Sequence, residues 1–79
     1  MQMIRPLPPA VPNPVWLHQV FQTKSVANGG IVRRSVRDIE REIGRDPLIA
    51  EVRRRGFHLL ECGGQFIVVC NTGQLRVIT

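Results

Sequence analysis

The sequence predicts a small α+β protein: a short N-terminal helix, two central helices and a C-terminal antiparallel sheet of three strands. Three observations carry that expectation. Apolar residues recur at helical spacing between Pro14 and Gly56, with cap and stop residues at both ends of each run. From Phe57 onward the pattern becomes short apolar runs punctuated by Gly63-Gly64 and Asn71-Thr72-Gly73, as strands and turns require. The chain has 79 residues, of which 43% are hydrophobic and 22% charged, so it folds as one domain around one thin core.

Residues 1–13 read as an extended proline-rich arm, and 14–79 as a single domain. Asn13 caps and Pro14 opens the first helix, whose apolar stripe is Trp16, Leu17, Val20 and Phe21. Thr23 to Gly30 is polar, ends in Asn-Gly-Gly and reads as a loop. Ile31 to Arg34 is a candidate brief strand. Ser35 with Asp38 makes a capping-box-like start for the clearest helix, with Val36, Ile39 and Ile43 inward and Gly44 as its stop. Asp46-Pro47 repeats the start signal, Leu48, Ile49 and Val52 form an inner face, and Gly56 ends that helix.

FHLLEC, Gly63-Gly64 and QFIVVC read as a hairpin, and QLRVIT after Asn71-Thr72-Gly73 as the third strand. This register sets Leu60 opposite Ile67, Cys62 opposite Gln65, and Val69 opposite Leu75. Both faces of such a sheet are apolar. The central helices cover one of them. The other, carrying Phe57, Leu59, Phe66, Val68 and Ile78, must be covered by the N-terminal helix or by a second chain, and self-association as a homodimer is the expectation.

Eleven Lys/Arg against six Asp/Glu give a net charge of +5, which favours acidic partners: nucleic acid or an acidic protein surface. The candidate basic surface is Arg33, Arg34, Arg37, Arg41, Arg45, Arg53, Arg54 and Arg55. Arg37, Arg41 and Arg45 form an i, i+4, i+8 row, and the triple arginine at 53–55 suits a helix C-terminus. Catalytic residues are not expected. Ser35 is a cap, Cys70 and His58 sit in the apolar hairpin, and Asp38 and Glu42 are flanked by arginines at salt-bridge spacing. His18, His58, Cys62 and Cys70 match no zinc spacing, so neither metal nor cofactor is expected, and the cysteines read as reduced thiols. No run approaches the roughly 20 apolar residues of a membrane span, and the early prolines break any signal-peptide core. The expected location is the bacterial cytoplasm.

The two central helices meeting at Gly44, followed by a hairpin, suggest a helix-turn-helix of the winged kind. Counting from Val36, Gly44 falls at the motif's turn glycine, whereas Glu40 takes a position that normally holds alanine or glycine. From Asp46 onward, DPLIAEVRRRGFHLLECGGQFIVVCNTGQLRVIT resembles the HicA family of small mRNA-cleaving toxins, which have a double-stranded-RNA-binding-like α-β-β-β arrangement. The likeness lies in the helix ending R-R-G-F, the strand after it and the Gly-Gly turn. That family's catalytic histidine follows a Gly-Ser pair at the turn. Here the turn reads Gly63-Gly64-Gln65, and glutamine cannot act as a general base. The stretch from Gly29 to Asn71 is similar to small proteins of alphaproteobacteria and their phages, a group that includes the type I anti-CRISPR proteins. That resemblance implies a non-enzymatic inhibitor that binds a Cas protein or surveillance complex and blocks DNA targeting. The alternative expectation is a basic nucleic-acid-binding regulator, winged-helix or double-stranded-RNA-binding-like.

Overall fold

Local signals start and stop almost every element of the structure, a computed structural model that describes residues 14–79. The arm expected at 1–13 and the capping role of Asn13 lie outside the described residues. Helix α1 (Pro14–Phe21) opens on proline, which has no amide to leave unpaired, and buries Val20 and Phe21. The expected loop after it contains a single helical turn, α2 (Lys24–Ala27), because the Thr23 hydroxyl accepts the Val26 amide at 3.3 Å. Strand β1 (Ile31–Ser35) ends on the residue that starts the next helix. Ser35 Oγ accepts the Asp38 amide at 3.3 Å and caps α3 (Val36–Glu42).

Helix α4 (Arg45–Arg55) starts two residues earlier than expected, with Gly44 rather than Asp46 at its cap position and Pro47 still inside the first turn. Gly56 closes it in the left-handed conformation, φ 73°. The Gly56 amide donates to the Arg53 carbonyl and the Phe57 amide to the Val52 carbonyl, so two terminal carbonyls are satisfied. Strands β2 (His58–Cys62) and β3 (Gln65–Val69) form the expected hairpin. Gly63 and Gly64 both take positive φ, 57° and 76°, the turn geometry that matches strand twist.

The class is as expected: helices with a three-stranded antiparallel sheet. Leu60 does face Ile67, and Cys62 faces Gln65. The third strand, however, is β1. The sheet order is β1-β3-β2, with Val32 opposite Val68 and Arg34 opposite Phe66, while residues 74–79 form no strand. A strand has two edges. Once β1 and β2 occupy those of β3, QLRVIT has no place beside it, and Val69 meets Ile31 and His58 instead of Leu75.

This topology also decides which face is interior. Val20 and Phe21 of α1, Ile39 within α3 and Ile43 just after it, and Leu48 and Val52 of α4 gather with Val32, Phe66, Val68 and Cys70 in one cluster. Phe66 and Val68 are each 2% exposed. The face expected to drive self-association is therefore the core face. Phe57 and Leu59 pack against it from the side, and Ile78, 80% exposed, lies outside the sheet. The reason is β1: it enters the sheet in the chain between α1 and α3, so α1, α3 and α4 pack on one side. The opposite face carries Ile31, Arg33, Leu60, Ile67 and Val69.

Candidate nucleic-acid interface

Helices α3 and α4 meet at Ile43-Gly44. Ile39 and Ile43, both fully buried, pin the first helix to the core, and Leu48 pins the second. Between them the chain reverses through Gly44 at φ 95°, a conformation that costs glycine little and an L side chain more. The amides of Ile43 and Gly44 both donate to the Ile39 carbonyl, at 2.8 and 2.7 Å, closing the helix end. The corner is a tight glycine turn between two helices, and the hairpin follows α4.

Arg45 braces this corner. Its guanidinium donates to Glu61 of β2 at 2.9 Å and to Glu40 of α3 at 3.4 Å, and lies 5.0 Å above the Phe66 ring. Hydrogen bonding to Glu61 is the main cause that raises the Arg45 pKa, with Glu40 adding to it. Glu40 is thus not a bare carboxylate at a position that wants alanine. It is 33% exposed at the side chain and neutralised by Arg45. The expected row Arg37–Arg41–Arg45 is broken here. Helix α3 ends at Glu42, and the turn swings Arg45 toward the sheet.

The other arginines divide by what they touch. Arg41 bridges Asp38 at 2.9 Å and Glu42 at 3.1 Å. Arg54 and Arg55 share the Glu51 carboxylate, and Arg55 also stacks 4.5 Å from the Phe21 ring centre. Hydrogen bonds from Arg54 first, then Arg55, hold the Glu51 carboxyl below its ordinary range. Arg33, Arg34, Arg37 and Arg53 have no acidic partner among the described residues. Arg33, Arg37 and Arg53 are exposed. Arg34 is half-buried, its Nη1 donating to the Arg33 carbonyl at 2.7 Å. The eight arginines are therefore not one surface: four are tied to carboxylates, and Arg33 lies on the open sheet face.

What α4 shows to solvent is a stripe of Asp46, Ala50, Arg53 and Arg54, at spacings of three and four residues. Sequence reasoning passed over Asp46 and Ala50 as site residues. They carry no cationic signal, although the inner face read from Leu48, Ile49 and Val52, of which Leu48 and Val52 are buried, leaves them on the outer side. At the hairpin tip, a side chain added at Gly63 or Gly64 would meet open space, and the Gly64 carbonyl accepts the Val36 amide at 2.9 Å. The tip thus lies beside the start of α3.

Comparison of the chain with protein-family models, characterised proteins and solved structures finds no match. Among the described residues no three His, Cys, Asp or Glu side chains gather as a metal ion would need. No described helix is long and apolar enough to cross a membrane. Both cysteines are free, Cys62 exposed and Cys70 buried; burial raises the Cys70 pKa and disfavours its thiolate.

Proposed function

We propose that the chain is a double-stranded DNA-binding protein of winged-helix type, reading DNA with α4. The observation that carries this reading is the element order helix, one-turn helix, strand, helix, helix, hairpin with sheet order β1-β3-β2, in which a glycine-turned helix pair precedes a two-stranded wing. An 11-residue α4 is about 16 Å long and fits a major groove about 12 Å wide. Its outer stripe suits that role. Ala50 permits close approach, Arg53 can pair with guanine edges or phosphate, and Asp46 can accept from a cytosine amino group. The wing is short and uncharged at its tip, so affinity rests on the helices and on the net positive charge.

Fluorescence anisotropy with a pool of random duplexes tests this. Binding should weaken log-linearly with salt. Arg53→Ala should reduce affinity about tenfold and the salt slope by about one, while Arg41→Ala, already neutralised by Asp38 and Glu42, changes little. Absence of duplex binding at low salt, or an unaffected Arg53→Ala variant, would exclude the reading.

A stoichiometric inhibitor acting through protein contact, such as an anti-CRISPR, is the second reading. What favours it is the sheet face free of helices, where Ile31 is 56% exposed and Leu60 36%. Such an inhibitor would bind its protein target with little salt dependence, which separates the two readings in one titration.

A further inference from the structure

Residues 74–79, QLRVIT, have the composition of a strand and no strand beside them. No backbone hydrogen bond joins them to another described residue, and Leu75, Val77 and Ile78 are 39%, 78% and 80% exposed. Strand β2 is a sheet edge with the complementary deficit. In a two-residue hairpin the residues flanking the turn exchange both hydrogen bonds. Alternation from the Cys62–Gln65 pair therefore leaves the amides and carbonyls of Leu59 and Glu61 pointing outward. These groups also lack a backbone partner among the described residues.

The chain's own tail suits this edge poorly. A strand formed by residues 74–79 after a reversal at residues 71–73 would run antiparallel to β3, as β2 does, so its pairing with β2 of the same molecule would be parallel. A second copy turned by a two-fold axis removes that conflict. We propose that residues 74–79 add as an antiparallel strand to the β2 edge of a second copy, reciprocally. The combined sheet then runs β1-β3-β2, the partner's tail, this tail, and the partner's β2-β3-β1, with every neighbour antiparallel.

Three features fix the fit. His58 Nε2 donates to the Gly73 carbonyl, so the root of the tail is already drawn to the start of β2. Fully extended, the backbone from Cys70 to Gln74 would span about 14 Å, the width of three strand spacings of about 4.8 Å, so the turn at residues 71–73 would open on docking. With Arg76 opposite the partner's Glu61, Ile78 falls opposite Leu59, Val77 opposite Leu60 and Leu75 opposite Cys62. Opposite charges and apolar pairs then coincide in one register. Arg76 has no acidic partner among the described residues, and Glu61 engages Arg45 through Oε1, leaving Oε2 for a second cation.

Sedimentation equilibrium on the full chain tests the assembly. Wild type should show a doubled mass. Ile78→Pro removes an amide the edge needs, and should give the monomer mass with an unchanged circular dichroism spectrum and melting temperature. Arg76→Glu, acting twice per dimer, should raise the dimer dissociation constant about tenfold. Under mild oxidation Leu75→Cys should crosslink to the partner's Cys62, identified by peptide mapping. A wild type that stays monomeric to its solubility limit overturns the proposal. So does a dimer indifferent to Ile78→Pro that forms no such crosslink, and a ladder of larger oligomers overturns the reciprocal closure.

Discussion

Phe66 is where the interior converges. It sits on the central strand, 2% exposed, with Arg45 over its ring and the residues of three helices in the same cluster. Phe66→Ala should cost about 3–5 kcal/mol in a denaturant titration, and Phe66→Glu should leave no folded protein, since it removes the ring from the apolar cluster and puts a carboxylate among its side chains. Glu51 makes a different contribution. Its folded pKa is depressed, so its stabilisation is present above the unfolded carboxyl range and lost as pH falls through the lower folded value. Glu51→Gln should therefore cost on the order of 1 kcal/mol at neutral pH, and the gap to wild type should be smaller at acid pH. Paired urea melts at the two pH values would read this directly. An equal gap at both would mean that packing of the stem, not the charge, is what matters.

At the level of elements, glycines set the two sharpest reversals and invite opposite substitutions. Gly44→Ala forces a side chain to φ 95° and should destabilise by about 1–3 kcal/mol in thermal unfolding. Gly63→Asn should be neutral or stabilise by up to about 1 kcal/mol, because Asn-Gly suits this turn, restricts the unfolded chain and meets nothing in the surrounding space. Both helix stops and the Ser35 cap were legible in the sequence, because each depends on residues within a turn of one another. The hairpin register was legible for the same reason. The third strand was not. QLRVIT carries as good a local pattern as Ile31–Ser35, and only long-range competition for the edges of β3 separates them. The role of Arg45 was hidden similarly: Glu61, its partner, is 16 residues away in sequence. Of the carboxylates that neutralise half of the basic residues, the sequence located Asp38 and Glu42 beside Arg41, but not Glu61 beside Arg45 or Glu51 beside Arg54 and Arg55.

For the whole molecule, the decisive fact is that β3 is enclosed on three sides, by β1, by β2 and by the helices, whereas every other strand has a free edge. That gives the protein an internal clock. In native-state hydrogen exchange, the amides of Phe66, Ile67, Val68 and Val69 have no local route to water and should exchange only when the whole chain opens. Those of β2 that face outward should exchange fast at low concentration. If a second chain docks there, the amides of Leu59 and Glu61 slow with rising concentration while those of β3 keep to the global rate. The central strand thus supplies, within one spectrum, the reference against which any partner's arrival at the edge is timed.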